Sequence, residues 1–363
     1  MEVAVLGGGH GCYAAAADAS EAGHNVRFWR RDAAAFRGVA ERRALTILDA
    51  DGRRDVPLAM VTDDIAAAMD GADLILSPLP ATAQQGLCEN MAPHLKDGQV
   101  VFIPPGTFGS YIMAKQVRDT GNSADVSFGD AGTLPWLVRK QGDGSTRITA
   151  RTVRLPSGIF PACNSDDAFA AIEQVFPEAE RCRDALDAAL LNYGPIIHPP
   201  LILMNAGPLA HFDAWDIHNE GTQQTIRNVH DALDAERIAI RQALGYGAPH
   251  FPLADHYTRN PDGDTMYPVT SHDELVDSSD WREDIDLFTH RYMIEDIALG
   301  LAFMVSIGDW AGVPCPVAGG LLAIGGAAVG RDYRATGRTW ENIGLAEKSG
   351  NDLRTLLDNG LNG

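Results

Sequence analysis

The chain has 363 residues, of which 45% are hydrophobic and 21% are charged, so it is long enough for two packed domains. Its 49 acidic and 29 basic residues give a formal net charge of −20, which disfavours nucleic acid and anionic membranes as partners. Its five cysteines are odd in number and scattered, a pattern that suggests neither a disulfide framework nor a zinc site. We therefore expect no bound metal and a location in the reducing cytoplasm.

The N-terminus begins directly in a strand pattern. No basic leader precedes this strand, and no apolar run in the sequence reaches membrane-spanning length. These features predict a protein that is neither exported nor anchored in a membrane.

The N-terminal residues have the pattern of a nucleotide-binding unit. A buried strand, "EVAVLG", is followed by a glycine-rich turn, an alanine-rich helix and a second strand, "NVRFW". A strand, glycine turn, helix and strand within about 30 residues form the first crossover unit of a parallel nucleotide-binding sheet.

The turn matches most of the G-x-G-x-x-G fingerprint. Gly7 and Gly9 occupy its first two positions, Cys12 occupies the third, and Gly11 lies beside that cysteine. Backbone N–H groups at the start of the following helix can approach a pyrophosphate there. We predict that Gly7, Gly9, His10 and Gly11 bind a dinucleotide; the alternative is a tight turn without a ligand.

The end of the second strand indicates which dinucleotide is bound. Enzymes that use NAD usually place Asp or Glu here to accept hydrogen bonds from the ribose 2′-OH. This chain has Arg30 and Arg31 instead, and no carboxylate before Asp32. Two guanidinium groups suit a 2′-phosphate, so NADP(H) is favoured. In the alternative, the two arginines are solvated and Asp32 binds the ribose of NAD(H).

Further strand patterns complete the first domain. Two apolar runs that end at Pro80 and Gly106 predict later parallel strands whose carboxyl ends face a ligand, which makes Pro80 a candidate cofactor contact. Alternation around an Asp-Gly turn predicts a hairpin insertion within residues 45–61, and strand character continues through 126–161. We predict that residues 1–164 form an α/β Rossmann-type domain with a doubly wound, mostly parallel sheet.

The rest of the sequence changes to long amphipathic patterns. Residues 165–363 are predicted to form an all-α substrate domain. The polar segment 247–280 has little periodicity and predicts a long loop that borders the substrate.

Two apolar segments of this second domain carry polar side chains. His198 is followed by Pro199 before a buried helix, where it is well held for proton transfer; the alternative is a core histidine. Glu295 and Asp296 open a nearly all-apolar helix, and buried carboxylates need partners. The alternative there is an acidic helix N-terminus with Arg291 as a surface charge.

Five blocks spread over nearly the whole chain occur in a characteristic order: "AVLGGGHGCYAAAADASEAGHNVRFW", "LNYGPIIHPPLILMNAG", "DALDAERIAIRQALG", "HRYMIEDIALGL" and "GRDYRATGRTWENIGL". Together these blocks resemble the octopine/nopaline (opine) dehydrogenase family. The resemblance implies a Rossmann-type domain followed by a helical domain. It also implies a reversible, NAD(P)H-dependent reductive condensation of an α-keto acid with the amino group of an amino acid.

The resemblance also implies roles for three residues. The family's catalytic histidine falls on His198, the aspartate that orients it falls on Asp296, and the arginine that binds the keto-acid carboxylate falls on Arg291. The glycine turn departs from the family, which more often has Asn and Gly where this chain has His10 and Cys12.

The spacing of two of these residues makes a structural prediction. In an ideal α-helix, a separation of five residues sets Arg291 and Asp296 about 140° apart, so they would not share a face. We expect Arg291 at the edge of the helix N-terminus and Asp296 turned toward His198. Trp215 and Trp281, together with His218, are candidate contacts for the amino-acid partner.

Two other functions are consistent with the same residues. One is the NAD(P)-dependent reduction of a simple keto acid without condensation, and the other is nucleotide sensing without catalysis. For the favoured function, the partners are an α-keto acid and an amino acid, with no nucleic acid and no membrane. The oligomeric state that we expect to test is a homodimer.

Overall fold

The computed structural model of the chain describes residues 1–142 and 144–362. It divides into two compact units, of which the first comprises Met1–Ala189 and Thr355–Gly363, and the second comprises Leu190–Arg354. The domain boundary predicted at residue 164 therefore lies inside the first unit.

The first unit contains the strands of the described chain. They are β1 (Glu2–Leu6), β2 (Asn25–Trp29), β3 (Ala44–Asp49), β4 (Gly52–Pro57), β5 (Met60–Thr62), β6 (Leu74–Leu76), β7 (Val100–Ile103), β8 (Ser127–Ala131), β9 (Trp136–Gln141), β10 (Ser145–Arg151), β11 (Leu155–Phe160) and β12 (Ala179–Arg181). Within residues 1–142 and 144–362, eight of them form one sheet in the order β12-β11-β8-β7-β6-β1-β2-β5, and four form another in the order β4-β3-β10-β9.

The larger sheet is mostly parallel. β1 pairs in parallel with β2 and β6, and further parallel pairs extend the sheet to β5 on one side and β8 on the other. β11 runs antiparallel to β8. Val3 to Leu6 are all fully buried, as expected for a parallel strand that is covered on both faces. The predicted doubly wound, Rossmann-type sheet is confirmed.

Helices cover the first unit and make up the second. In chain order they are α1 (His10–Glu21), α2 (Arg37–Arg42), α3 (Ile65–Met69), α4 (Gln84–Met91), α5 (Gly109–Asp119), α6 (Ser165–Val175), α7 (Ala185–Ala189), α8 (Gly194–Met204), α9 (Ala206–His211), α10 (Gln224–Ala243), α11 (Leu253–His256), α12 (Ser271–Ser278), a π-helix (Tyr292–Leu301), α13 (Ala302–Ala311), α14 (Pro316–Ala328), α15 (Tyr333–Thr336) and α16 (Gly350–Asn359). Short 3₁₀ turns occupy Ala34–Phe36, Ala81–Ala83, Ala92–His94, Ala162–Asn164 and Gly360–Asn362.

The residues after 164 pack on the sheet, which explains the shifted boundary. Phe169 and Ile172 of α6 are fully buried in the same apolar core as β1 and α1. β12 then pairs in parallel with β11, so one strand lies in the region that was predicted to be all helix. Apolar burial against the sheet thus holds this segment in the first unit.

The smaller sheet is the insertion that the sequence predicts within residues 45–61, extended by two later strands. β3 and β4 form its antiparallel hairpin, and β3 also pairs in parallel with β10. Arg151 of β10 bonds to Asp18 of α1 at 2.7 Å and to Asp49 of β3 at 2.9 Å. This ion network ties the smaller sheet to the helix that follows the glycine turn.

The second unit contains helices and their connections. The segment 247–280, predicted as a long loop, includes the short helices α11 and α12. Among the residues that the structure describes, no helix has the length and apolar character needed to cross a bilayer.

Candidate active site

The glycine turn lies between β1 and α1 and is shaped by close contacts. Gly7 has a φ of +130°, which favours glycine, and a β-carbon there would lie 2.6 Å from Leu79. A β-carbon at Gly11 would lie 2.9 Å from Leu134 and 3.0 Å from Pro78. Gly11 therefore allows the close helix packing that the third glycine of the fingerprint usually provides.

The remaining residues of the turn leave space and add a polar link. No heavy atom lies within 4 Å of a β-carbon placed at Gly9, so a ligand can approach the backbone there. His10 is exposed, and its Nδ1 accepts a hydrogen bond of 2.7 Å from the backbone N–H of Lys140. Cys12 is fully buried, with Sγ 3.7 Å from the carbonyl of Leu6. The turn therefore fits the pyrophosphate of a dinucleotide.

The basic pair after β2 lies beside this turn. The side chain of Arg30 covers Gly8, and its guanidinium donates hydrogen bonds to Tyr13 Oη and to the carbonyl of Ala35. Arg31 is exposed. The guanidinium of Arg30 thus stands at the start of α1, where an anion is also attracted by the helix dipole.

Asp32, the carboxylate considered as a ribose ligand, makes local contacts. Its Oδ1 accepts hydrogen bonds from the backbone N–H groups of Ala34 at 3.0 Å and Ala35 at 3.2 Å. These bonds cap the short 3₁₀ turn that follows β2.

Pro80 lies at the same edge of the sheet as the glycine turn. It follows β6, is half-buried, and its carbonyl accepts a hydrogen bond from the N–H of Ala83 at 2.8 Å. The preceding residue, Leu79, is the one that lies against Gly7. The carboxyl ends of β1 and β6 therefore bring Pro80 close to the turn.

In the second unit, His198 and Asp296 are hydrogen-bonded to each other. Nδ1 of His198 lies 2.8 Å from Oδ2 of Asp296, although the two residues are 98 positions apart. The side chain of His198 is 17% exposed and that of Asp296 is 9% exposed. Burial raises the pKa of Asp296 to about 7, and the positive charge of Arg291 opposes this shift.

His198 lies one turn inside α8, which continues through Pro199 and Pro200. The sequence placed it instead just before a buried helix. Because Gly194 is four residues earlier, it lies on the same face of the helix as His198. A β-carbon at Gly194 would collide with Oδ1 of Asp296.

Gly194 is thus part of the site, although the sequence reasoning did not select it. A second glycine has a similar role, since a β-carbon at Gly300 would collide with Pro195. The two glycines allow α8 and the π-helix to approach closely enough for the side chains of His198 and Asp296 to meet. In the sequence, the Gly-Pro pair at the start of "GPIIHPP" is the feature that could have indicated this close approach.

The helix that carries Asp296 is a π-helix, and this corrects the predicted geometry. In a π-helix the backbone hydrogen bonds join residues five apart, as in the bond from the N–H of Ala302 to the carbonyl of Ile297. The α-helical separation of about 140° therefore does not apply within Tyr292–Leu301, and Arg291 lies just before this segment. Arg291 immediately precedes the π-helix and is exposed, while Asp296 is buried.

Tyr292 is a further residue of the site that the sequence reasoning missed. Its ring is stacked on the imidazole of His198, with ring centres 3.8 Å apart and planes at 16°. The guanidinium carbon of Arg291 lies 5.0 Å from the centre of the same ring. Tyr292 was visible in the sequence only as one more aromatic residue on an apolar helix.

The candidate contacts for an amino-acid partner take different positions. His218 packs edge-on against His198, with ring centres 6.0 Å apart. Trp215 donates a hydrogen bond of 3.0 Å to the buried Asn205 and stacks on the exposed Phe212. Trp281 is buried after α12.

Other buried histidines surround this part of the helical unit. His230 of α10 bonds through Nε2 to the carbonyl of Ile197 at 3.0 Å, and burial lowers its pKa to about 4. Burial also lowers the pKa of His256 to about 4. In the described part of the chain, no group of three or more His, Cys, Asp or Glu side chains is placed to hold a metal ion.

Family models match both parts of the chain. Residues 2–106 match the NAD-dependent glycerol-3-phosphate dehydrogenase N-terminus, and residues 181–329 match the α-helical domain of NAD/NADP octopine/nopaline dehydrogenase. Together with the Rossmann-type sheet and its glycine turn, these matches define an NAD(P)-dependent oxidoreductase.

Individual relatives show a similarity that extends over the whole chain. The chain is 26% identical to an opine dehydrogenase of Arthrobacter sp. (strain 1C) over 359 residues, which is 98% of each protein. The chain is thus similar to opine dehydrogenases along its whole length, which supports an NAD(P)-dependent oxidoreductase that acts on CH–NH bonds.

Solved structures share its fold. An octopine dehydrogenase with NADH and pyruvate superposes with a TM-score of 0.70 at 19% identity, covering 99% of this chain and 98% of that one. A yersinopine dehydrogenase with NADP⁺ superposes with a TM-score of 0.63 at 15% identity, covering 99% and 98%.

Proposed function

We propose that the protein catalyses the reversible, NAD(P)H-dependent reductive condensation of an α-keto acid with the amino group of an amino acid. The observation that carries this proposal is the 2.8 Å hydrogen bond between His198 and the buried Asp296, with the exposed Arg291 just before the helix that carries Asp296. These three side chains are an acid–base group, its orienting partner and a carboxylate-binding group.

His198 is the proposed general acid and base. When the amino nitrogen bonds to the keto carbon, the resulting carbinolamine must gain a proton on its hydroxyl oxygen before water leaves and a C=N bond forms. Because Nδ1 of His198 is bonded to Asp296, the proton is delivered from Nε2. In the reverse direction the same nitrogen takes the proton back.

Asp296 is the proposed orienting residue. A carboxylate that accepts from Nδ1–H fixes the imidazole tautomer and stabilises the imidazolium. Its burial strengthens that interaction, because the surrounding dielectric is low.

Arg291 is proposed to bind the carboxylate of the keto acid. Its planar guanidinium can form two parallel hydrogen bonds with a carboxylate, and its exposure leaves it accessible. It also supplies a local positive charge in a chain whose formal net charge is −20. Trp215, His218 and Trp281 remain candidate contacts for the amino-acid partner.

The cofactor is proposed to bind at the glycine turn of the first unit. Gly7, Gly9, His10 and Gly11 would hold the pyrophosphate, and Pro80 would border it. When bound, the nicotinamide supplies the hydride that reduces the C=N carbon.

We further propose a preference for NADP(H). The position of Arg30 at the start of α1 and the exposure of Arg31 support this preference, since both guanidinium groups could pair with a 2′-phosphate. The capping bonds of Asp32 support this preference, since its Oδ1 already accepts two backbone N–H groups.

The test is a matrix of α-keto acids and amino acids, with NADPH or NADH oxidation followed by absorbance. We expect oxidation to require both a keto acid and an amine, and to be faster with NADPH. Oxidation with the keto acid alone would instead identify a simple reductase. Tight cofactor binding without turnover on any pair would identify a nucleotide sensor.

A pair of histidine variants tests the assigned acid. His198→Ala should lower kcat by a factor of about 10² to 10⁴ while cofactor binding is retained. The control is His24→Ala, because His24 lies in the first unit, with its ring bonded to the carbonyl of Gln174. Near-normal turnover of His198→Ala would remove this residue from the proposed mechanism.

A further inference from the structure

Tyr292 is a buried residue to which the proposed reaction gives no role. It is 2% exposed, and its ring is stacked face to face on His198 at a centre-to-centre distance of 3.8 Å. The same π-helix supplies Asp296, so His198 is held on its ring face by Tyr292 and at Nδ1 by Asp296. Two side chains four positions apart therefore fix both the plane and the in-plane rotation of the imidazole.

The ring of Tyr292 also contacts Arg291. The guanidinium carbon lies 5.0 Å from the ring centre, within the range of a cation–π interaction. The centre of the Tyr292 ring is close to both the guanidinium carbon of Arg291 and the imidazole centre of His198. These two points are therefore no more than about 9 Å apart. The acid and the carboxylate-binding group are therefore electrostatic neighbours with a common support.

Several other groups face His198 or its helix. They are Asp296 of the π-helix, His290 just before it, His218 of the connection after α9, and His230 of α10. The charge of Glu295 acts on Arg291. α14 also packs against α8 and has no titratable residue. α10 also brings Arg227 and Asp234 near His230. Arg291 is the permanent positive charge that shares the ring of Tyr292 with His198, and a positive charge at this distance disfavours protonation of an imidazole.

We infer that Tyr292 is a positioning residue that supports His198 and Arg291 together, so that a carboxylate bound to Arg291 favours protonation of His198. The negative face of the aromatic ring attracts an imidazolium, while the unneutralised guanidinium repels it. A bound carboxylate cancels that repulsion. The binding of a keto-acid carboxylate at Arg291 rests on the proposed function.

As a consequence, His198 becomes protonated when the keto acid binds. Without a keto acid, Arg291 holds His198 toward its neutral form. With the keto-acid carboxylate in place, His198 takes up a proton from solvent and is ready for the dehydration step. The amino acid then meets an imidazolium only when the keto acid is present.

The test needs neither substrate nor cofactor. The imidazole of His198 is titrated by NMR in the full-length protein and in the variants Arg291→Gln, Tyr292→Phe and Tyr292→Leu. Arg291→Gln removes the opposing charge as a bound carboxylate would, so the pKa of His198 should rise by about half a unit to one unit. Tyr292→Phe keeps the ring that stacks on His198 and loses only the hydroxyl that bonds to Arg291, so the titration of His198 should move less than in Tyr292→Leu, which should titrate at lower pH.

Arg334→Gln is the matched control for loss of a positive charge. Arg334 is an exposed arginine of the same unit, paired with Asp309, and its removal should leave the titration of His198 unchanged. The inference is overturned if Arg291→Gln titrates as the unaltered protein, or if Tyr292→Leu and Tyr292→Phe titrate alike. Because Arg291 is exposed, we expect Arg291→Gln to retain the fold and to test the inference even if Tyr292→Leu does not fold. Failure of the proposed function would appear separately, in the turnover assay.

Discussion

The backbone of Gly194 lies directly against the carboxylate of Asp296, with no room between them for a β-carbon. This contact determines how close α8 can come to the π-helix, and the bond from Asp296 to His198 depends on that approach.

Gly194→Ala should therefore lower activity without adding or removing any charged group. The new methyl group displaces the carboxylate and lengthens the bond to His198, so we expect kcat to fall at least tenfold. Gly207→Ala is the matched control, since no heavy atom lies within 4 Å of a β-carbon there. Steady-state kinetics of the two variants makes the comparison, and equal activities would show that the packing at Gly194 does not govern the dyad.

Asp296→Asn should reduce activity and yet stabilise the protein at neutral and alkaline pH. The pKa of Asp296 in the folded state is raised by burial to about 7, from an ordinary value of 3.8. The folded chain thus binds this proton more tightly than the unfolded chain does. The stabilisation that comes from the protonated Asp296 is lost as the pH rises from about 4 through 7. Asparagine does not titrate, so the variant does not lose stability in this way. We expect its free energy of unfolding to exceed that of the unaltered protein by about 1–3 kcal/mol at pH 8, and the difference to disappear near pH 4. Urea unfolding at both pH values tests the sign.

Arg291→Lys should raise the KM for the keto acid by about 10- to 100-fold with a smaller change in kcat. A lysine keeps the positive charge but cannot form the bidentate pair with a carboxylate. Arg334→Lys, at an exposed arginine of the same unit, is the control. Initial rates at varied keto-acid concentration separate the two constants, and an unchanged KM would place the carboxylate elsewhere.

Arg31→Gln should weaken NADPH binding by about tenfold and leave NADH binding nearly unchanged. The exposed guanidinium would lose its charge-assisted bond to the 2′-phosphate, which NADH lacks. Arg37→Gln is a neighbouring exposed control. Fluorescence titration with both cofactors gives the ratio, and an equal loss for NADH would argue against a 2′-phosphate contact.

His230→Gln should make the protein less sensitive to mild acid. Burial lowers the folded-state pKa of His230 to about 4 from 6.5, so the unfolded chain binds the proton more readily. The free energy of unfolding should therefore decrease as the pH falls from about 6.5 to about 4. His230 should account for up to about 3 kcal/mol of this decrease. Urea unfolding at pH 7.5 and pH 5 should show a smaller difference for the variant. A difference as large as in the unaltered protein would show that His230 contributes nothing.

The sequence by itself determined the class of fold. Buried runs such as Val3 to Leu6 and the adjacent glycine turn are local signals, because their spacing alone predicts a strand, a turn and a helix. It also contained the residues of the family resemblance, including His198 and Asp296. The resemblance joined them, since no local pattern links side chains 98 positions apart.

Only the tertiary structure decided the geometry of the site. The helix at Asp296 is a π-helix that begins just after Arg291, and the local sequence pattern predicts an ordinary α-helix there. The stacking of Tyr292 on His198 and the fit of Gly194 against Asp296 are contacts between α8 and that helix. Such contacts depend on how two distant segments pack, and an aromatic residue or a glycine has the same local preferences whether or not a partner lies beside it.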